Sequence, residues 1–476
     1  MKPHLLSLLL AFSFVNSCGQ ADMPAKEGPT LDKKALAAAV DDLVQQYIDL
    51  DLFSGVVLLA DQGKPFYEKA FGMADRERGI PNTVDTRILI GSMNKTFTRV
   101  VVLQLVEEGK LKMDDPLGKY LTGFPKEAAE QITIAHLLEH RSGYGDYLTP
   151  EFWELPREEH TIAGVVELAR TMPLHFPPGE GEEYSNLGYV LLGAIIEIVT
   201  GRTYGESVQS RIVDKLQLRD TDVFGTRGPE NEAVGHRLTI TGEVERFPRM
   251  EGPPRSDGGF LATARDIFRF YQSFHFGTEL LSAGTRAKDP LIAQIEDLKK
   301  TPDRGMAEAG GFDGGNTVNL ELPGRRFTIV VLANMGEPVA EKLAFGIQDL
   351  LLGRTPEPAM RPAGELVYKA FKEKGATYVK ANFDSLTVNF HARDPKDMIL
   401  NSIGYDLLFS GQVDDAIAAF TLNTELFPDV ANCWDSLGEA WLKKGDRKKA
   451  LTYYSKALEL DPRLPSAVQA VKELAE

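Results

Sequence analysis

Ser92 and Lys95 stand three residues apart at the start of an apolar stretch, residues 92–108, whose apolar side chains recur at nearly helical spacing. Residues three apart on a helix share one face, so the two side chains are expected to be neighbours. A serine hydroxyl is a poor nucleophile until a base takes its proton, and a desolvated lysine is suited to that task. The positive end of the helix favours negative charge that develops at Ser92. The pair predicts an activated serine nucleophile.

A second polar group, Tyr184-Ser185-Asn186, directly precedes another apolar stretch, residues 187–200. This stretch has about fourteen residues and contains Glu197, so it is predicted to be a core helix and no membrane span. A helix-capping turn with a buried phenol is the structural interpretation of the tyrosine and asparagine. The serine and lysine upstream favour a catalytic interpretation instead.

These two motifs, together with several further segments in the same order, resemble the family of β-lactamases and penicillin-binding proteins, in particular its class C branch. The further segments are residues 90–98, 103–116, 136–143, 176–179 and 258–266. The resemblance covers roughly residues 35–352. It implies an α+β fold in which an antiparallel sheet flanked by helices is joined by an all-helical domain.

The resemblance also implies roles for individual residues. By position, Ser92 is the acylated nucleophile, Lys95 is its activating partner, Tyr184 is a proton shuttle and Asn186 is a hydrogen-bonding residue that orients the substrate. The implied mechanism uses no cofactor and no metal.

An oxyanion hole is expected to pair the Ser92 backbone N–H with an N–H from a strand near Gly314 and Gly315, where glycines allow close backbone approach. The family's third motif is K-T-G or H-x-G, but the candidate stretch 310–316 holds neither lysine nor histidine. In the family, this basic residue helps to bind a substrate carboxylate. Its absence favours an ester, or an amide without that carboxylate, over β-lactams and acyl-D-Ala-D-Ala peptides. Asp313 would repel an anion if it faced the cleft.

A competing motif is formed by His136, Glu139 and His140, which match H-x-x-E-H. In some metalloproteases this pattern supplies two zinc ligands and a base. The same segment also matches a non-catalytic helix and turn of the serine family, and the serine mechanism is the one we expect.

The first 21 residues have the build of a secretory signal, with Lys2 followed by an apolar stretch too short to span a bilayer. Residues 15–18 resemble a bacterial lipobox, which predicts cleavage after residue 17 and lipidation of Cys18. Ordinary cleavage after Ala21 is the alternative. The sequence thus predicts an exported protein of the periplasm or outer membrane, whose one membrane attachment is the lipid anchor. Cys433 then has no partner cysteine, and no internal disulfide is expected.

The overall charge bears on the partners that the protein can have. The formal net charge is −16, without the clusters of lysine and arginine that phosphate backbones require. The composition therefore argues against binding to nucleic acid.

An internal repeat of 34 residues follows a proline-containing linker that begins at residue 353. Gly404, Gly411, Ala416, Phe420 and Pro428 recur at Gly438, Gly445, Ala450, Tyr454 and Pro462. The pattern resembles the tetratricopeptide repeat (TPR), in which small residues let two helices pack closely and aromatic side chains fill the groove between them. Residues 466–476 are predicted to form a capping helix.

The predicted organisation is a signal peptide at 1–21 (lipoprotein signal 1–17), a hydrolase domain at 22–352, a linker and connecting helix at 353–395, and TPR-like repeats at 396–476. The predicted function is an exported serine acyl hydrolase, esterase or amidase/peptidase-like, that acts on a small-molecule or peptidic acyl substrate. The alternative is a catalytically degenerate scaffold that binds a protein or peptide partner through its repeats. The repeats could equally brace the hydrolase domain. The retained serine, lysine, tyrosine and asparagine favour the enzyme, whereas the altered third motif favours the scaffold.

Overall fold

The computed structural model describes residues 31–228, 230–247, 252–312, 314–336, 339–390 and 395–475. The predicted signal peptide with Cys18, and also Asp313, lie outside the described residues. The chain divides into two compact units. The first comprises Met1–Arg237 and Arg246–Pro358, and the second comprises Leu238–Glu245 and Ala359–Glu476.

The strands are β1 Gly55–Asp61, β2 Lys64–Phe71, β3 Met73–Asp75, β4 Ile80–Pro81, β5 Ile88–Leu89, β6 Gly235–Leu238, β7 Val244–Phe247, β8 Leu261–Ala262, β9 Met306–Phe312, β10 Gly315–Leu322 and β11 Phe327–Ala333. The helices of the first unit are α1 Lys33–Asp49, α2 Asn94–Glu107, α3 Lys126–Gln131, α4 Ile134–Leu138, α5 Pro150–Glu154, α6 Ile162–Ala169, α7 Asn186–Thr200, α8 Tyr204–Val208, α9 Asp214–Leu216, α10 Ala264–Phe276, α11 Ala283–Arg286, α12 Pro290–Leu298 and α13 Val339–Leu351. Those of the second unit are α14 Ala363–Leu386, α15 Asp397–Phe409, α16 Val413–Leu426, α17 Ala431–Lys444, α18 Arg447–Leu460 and α19 Pro465–Ala475.

Among the described residues, five strands form the central antiparallel sheet in the order β2-β1-β11-β10-β9. Strands β1 and β2 form a hairpin, in which they pair from Gly55 opposite Phe71 to Asp61 opposite Lys64. Strand β11 lies between β1 and β10, and every one of its residues is buried.

The two faces of the sheet carry different helices. Asn316 of β10 accepts a hydrogen bond from the Ala340 backbone N–H at the start of α13. Glu321 of the same strand accepts one from Gln272 of α10. Residues 316 and 321 point to opposite faces because side chains alternate along a strand. Helix α10 therefore covers one face and α13 the other.

Helices α2 and α7 form the centre of the hydrophobic core. Both predicted apolar helices are confirmed, and their apolar side chains are almost all buried. Helix α7 ends at Gly201, which adopts a left-handed conformation with a φ of 65°. Within the described residues no single helix is long and apolar enough to cross a membrane. The helical segments Asn186–Thr200 and Tyr204–Leu216, which meet at 76°, are together long and apolar enough for a span, judged by length and composition alone.

The second unit consists mainly of helical hairpins. Helices α15 and α16 form one pair and α17 and α18 the next, as the 34-residue period predicts. A β-carbon on Gly404 would lie 2.4 Å from the Phe420 ring, and one on Gly438 would lie 3.0 Å from the Tyr454 ring. The recurring glycines thus let the aromatic side chain of the following helix pack against the backbone. Cys433 is buried in α17, and the predicted capping helix is α19. The predicted α+β fold with a helical C-terminal array is confirmed.

Candidate active site

Ser92 lies in a single 3₁₀ turn, Gly91–Met93, which leads directly into α2. Lys95 lies in the first turn of α2 and is 6% exposed. The lysine Nζ is 3.0 Å from the serine Oγ, so the structure brings the two residues together as their spacing predicts. The serine is half-buried and opens onto a cavity.

The Lys95 ammonium group has two further acceptors. It donates to the Asn186 Oδ1 at 2.6 Å and to the Asp257 backbone carbonyl at 2.9 Å. An ammonium group has three donors, and here each has a partner. The lysine is thereby held with its nitrogen directed at the serine hydroxyl.

Tyr184 completes the contacts of the serine. Its hydroxyl donates to the Ser92 Oγ at 2.8 Å, and its ring lies 4.9 Å from the Lys95 Nζ. On the other side, the ring stacks on the His140 imidazole with the centroids 4.7 Å apart. A phenol hydroxyl at this distance is able to pass a proton to or from the serine oxygen.

Asn186 is the first residue of α7, which is capped by the Ser185 side chain. Its Oδ1 accepts from Lys95, and its Nδ2 donates to the Asp146 carboxylate at 2.6 Å. Burial raises the pKa of Asp146, while the hydrogen bond from Asn186 opposes that shift. The asparagine is thus fixed between a cation and a carboxylate. Asp146 and Asp257 could not be predicted as members of the site, because no local pattern places them beside the lysine.

The residues of the H-x-x-E-H motif have separate partners. His136 closes a capping box with Thr133 at the start of α4, and Glu139 is paired with Arg99 at 2.8 Å. His140 accepts a hydrogen bond from the Ser185 N–H at its Nδ1, 3.1 Å away. In the described ranges, no three His, Cys, Asp or Glu side chains converge on a point where they could hold a metal ion.

His140 supports Tyr184 through an unusual backbone conformation. Its φ is 55°, a left-handed value that residues other than glycine seldom adopt. Burial, together with the nearby charges of Lys95 and Arg99, lowers its pKa to about 3. The ring is therefore a neutral imidazole at physiological pH, which agrees with its role as acceptor from a backbone N–H.

Strand β9 lies against the nucleophile turn. A β-carbon on Gly310 would lie 2.0 Å from the Ile90 carbonyl oxygen and 2.9 Å from the Ser92 nitrogen. One on Gly91 would lie 2.9 Å from the Gly311 nitrogen. Thr317 of β10 ties the two segments together by donating to the Ile90 carbonyl at 3.0 Å. Only glycine allows the strand to approach the serine this closely.

The structure does not bring Gly314 and Gly315 to Ser92. Gly314 lies in the turn between β9 and β10 beside Gly235 and Phe247, and Gly315 packs against the Phe312 ring. We expected these two glycines to lie close to the Ser92 backbone. The close contact is instead made four residues earlier in the chain, by Gly310 and Gly311. The Ser92 turn lies against the fifth and sixth residues of β9, and the turn between β9 and β10 comes after them.

The same shift corrects the position of the third motif. Glu308, Ala309 and Gly310 have the spacing of H-x-G, with a glutamate where the basic residue would be. Glu308 lines the cavity and is bonded to His275 of α10, with 2.7 Å between Oε1 and Nε2. Glu308 was not predicted as a site residue, because the candidate stretch for the third motif began at residue 310. The acidic residue two positions before the first glycine was the available signal.

The cavity has a volume of about 290 Å³. Its polar lining includes Ser92, Lys95, Arg99, Glu182, Tyr184 and Glu308. A nucleophile, its lysine and tyrosine partners, and a glycine strand meet at its wall. Together with the sheet and its flanking helices, this site defines the class of serine hydrolases related to β-lactamases.

Comparisons with known proteins agree with this class. The sequence model of the β-lactamase family matches residues 40–351, and that of the tetratricopeptide repeat matches residues 431–464. The chain belongs to the β-lactamase family, as predicted, and carries a tetratricopeptide repeat at its C-terminal end.

Three relatives illustrate the similarity. A penicillin-binding protein of Bacillus subtilis (strain 168) is 27% identical over 65% of this chain and 75% of its own length. Esterase EstB of Burkholderia gladioli is 32% identical over 43% of this chain and 56% of its own length. The crystal structure of a penicillin-binding protein from Bacillus halodurans has a TM-score of 0.56 at 27% identity. The match covers 65% of this chain and 98% of that one.

The substitution Gly310→Ala tests the contact between β9 and the nucleophile turn. Its β-carbon overlaps the Ile90 carbonyl, so strand or turn must move. Misplacement of reacting groups by about 1 Å costs roughly 10²-fold, and we expect a loss of this size in the rate at which a fluorophosphonate labels the protein.

The matched control is Gly284→Ala, where the nearest atom to the new β-carbon is 3.9 Å away. Circular dichroism would establish that both variants are folded. An unchanged labelling rate in folded Gly310→Ala would show that the strand does not constrain the serine.

Proposed function

We propose that the protein is an exported serine acyl hydrolase that cleaves esters or amides through an acyl-enzyme on Ser92. The observation that supports this most directly is the position of the Ser92 Oγ, 2.8 Å from the Tyr184 hydroxyl and 3.0 Å from the Lys95 Nζ. A degenerate scaffold would have no need to keep all three groups in contact.

Before the first step, Lys95 gives up one proton to solvent, so that a lone pair on its Nζ faces the Ser92 hydroxyl. The Ser92 oxygen then attacks the substrate carbonyl carbon, and its proton passes to Lys95, directly or through Tyr184. The bond to the leaving group then breaks, and Tyr184 returns the proton to the departing oxygen or nitrogen. Water resolves the acyl-enzyme in a second step, which releases the acid and regenerates the serine hydroxyl. Asn186 keeps the lysine in place throughout.

The oxyanion of the tetrahedral intermediate is proposed to accept hydrogen bonds from the backbone N–H groups of Ser92 and Gly311. The Gly310 contact holds these two segments together. Preorganised donors of this kind supply about 2.7–4 kcal/mol each in related chemistry. The positive end of α2, which begins directly after the Ser92 turn, adds an electrostatic field that favours the negative charge.

The substrate class follows from the third motif. With Glu308 at the position of the basic residue, the cleft lacks the family's usual carboxylate-binding group at that point. We therefore favour esters, and amides without a carboxylate at that point, over β-lactams. The similarity to an esterase of Burkholderia gladioli supports this choice.

The repeats are proposed to bind a protein or peptide partner. Tandem helical hairpins expose an extended surface, and the matched repeat motif is commonly used in this way. The degenerate scaffold that works only through its repeats remains the alternative function, and the intact Ser92 contacts favour the enzyme over it.

Removal of individual side chains tests the enzyme. With p-nitrophenyl butyrate as substrate, Ser92→Ala is expected to reduce turnover to the uncatalysed rate, because no nucleophile remains. Lys95→Ala and Tyr184→Phe each remove a proton-transfer group and are expected to lower kcat by about 10²–10⁴-fold.

The matched control is Ser385→Ala, an exposed serine of α14, which is expected to leave turnover unchanged. Turnover that survives in folded Ser92→Ala would refute the nucleophile. Absence of turnover in the folded parent protein, together with absence of fluorophosphonate labelling, would favour the degenerate scaffold.

Export and lipidation at Cys18 are proposed from the first 21 residues. Intact mass spectrometry of the protein from a bacterial host with a lipoprotein pathway is expected to show a chain that begins at a lipid-modified Cys18. Cys18→Ala is expected to release the protein from the membrane fraction. An unmodified chain that begins at Asp22 would instead establish ordinary cleavage after Ala21.

A further inference from the structure

The charged groups that line the cavity differ in whether they are already paired. Lys95 uses its three donors on Ser92, Asn186 and the Asp257 carbonyl. Arg99, the other cation in the described lining, is 5% exposed and bonded to Asp289 and Glu139, each at 2.8 Å. Both positive charges are therefore committed to the protein. A substrate carboxylate could bind either of them only by displacing an existing partner.

Glu308 is placed to meet the substrate. It lies two residues before Gly310 on β9, and the two positions share one face of the strand because side chains alternate. The β-carbon direction at Gly310 points at the Ser92 turn, so the Glu308 side chain points to the same side of the sheet. At about 3.3 Å per residue, the two positions are roughly 7 Å apart along the strand. A group that lies along β9 while its carbonyl faces Ser92 therefore comes close to this carboxylate.

The partners of Glu308 are consistent with a negative charge. Asn319 of β10 donates to its Oε2 at 3.3 Å, and the His275 Nε2 is 2.7 Å from its Oε1. The His275 Nδ1 has no hydrogen-bond partner among the described residues. An imidazole that donates from Nε2 to the carboxylate fits this geometry. Both partners are hydrogen-bond donors, as a carboxylate requires because it only accepts.

A second carboxylate strengthens the field. Glu182 is exposed and lies at the wall of the same cavity, two residues before Tyr184. Arg99 is paired with Glu139 and Asp289, so four carboxylates, including Glu182 and Glu308, stand against the two cations at the described wall of the cavity. This excess of negative charge gives the space beside Ser92 a negative potential. An anionic substrate is repelled there, and a cationic one is attracted.

We infer that Glu308 determines specificity by selecting, among the esters and amides of the proposed function, those that carry a protonated amine in the part of the substrate that lies along β9. The inference rests on the proposed function and adds the chemical class of its substrate. The ammonium group donates to the free lone pairs of the Glu308 carboxylate while the scissile carbonyl faces Ser92.

Three p-nitrophenyl esters of nearly equal size test this inference. The acyl groups are 3-aminopropanoyl, which is cationic at pH 7, butanoyl, which is neutral, and 3-carboxypropanoyl, which is anionic. Rates with the Ser92→Ala protein serve as the blank for spontaneous hydrolysis. We expect kcat/KM to fall in that order, with a ratio of about 10²-fold between the cationic and the anionic ester.

Glu308→Gln keeps the shape of the side chain and removes the charge, so the cation-to-anion ratio is expected to fall to within a few-fold. Glu308→Lys is expected to reverse the order. The matched control is Glu130→Gln, an exposed residue of α3, which removes the same net charge and is expected to keep the ratio. A binding readout accompanies these assays. Butylamine is expected to slow fluorophosphonate labelling of the parent protein at lower concentration than butyrate does.

The outcomes separate the two proposals. If the neutral ester is hydrolysed in a Ser92-dependent manner but the three esters react equally, the specificity inference is overturned and the hydrolase stands. The same holds if Glu308→Gln retains the ratio of the parent protein. If the protein is labelled but cleaves none of the esters, equal protection by butylamine and butyrate overturns the inference. If the folded protein is neither labelled nor active, the proposed function itself fails.

Discussion

The buried ammonium group of Lys95 is the interaction on which the site depends. A cation removed from water is strongly destabilising unless each donor finds an acceptor, and here the acceptors come from three separate segments. Ser92 belongs to the turn before α2, Asn186 to the start of α7, and the Asp257 carbonyl to the loop before β8. Satisfying one lysine thus aligns two core helices and a loop, and the same alignment brings Tyr184 to the serine.

The glycines of β9 supply the second constraint. The lysine fixes the serine from the helical side, and the close approach at Gly310 fixes it from the sheet. The nucleophile is held between two rigid elements rather than on a loop. The substrate charge that the cleft favours then depends on the side chain two residues before Gly310. In this chain it is Glu308, whose carboxylate is anchored by His275 and Asn319.

Much of this arrangement could be predicted from the sequence, because several signals are local. The spacing of Ser92 and Lys95 places them on one helical face, and the 34-residue period identifies the helical hairpins of the second unit. Tyr184 and Asn186 carry no such signal of their own, and their assignment depended on the resemblance to the family. Residues that reach the site through tertiary contacts, such as Asp146, could not be predicted. The segment of β9 that lies beside the serine was misplaced for a related reason. Strand register is set by pairing with β10, and several glycines in a row give no local indication of which one touches the nucleophile turn.

Detection of the acyl-enzyme tests the central claim most directly. The parent protein would be mixed with p-nitrophenyl butyrate, quenched in acid within the first turnovers, and analysed by intact and peptide mass spectrometry. We expect one butyryl group, attached to Ser92 in the peptide that contains it, with a matching burst of p-nitrophenol. Steady turnover without any acyl adduct, or with the adduct on another residue, would contradict it.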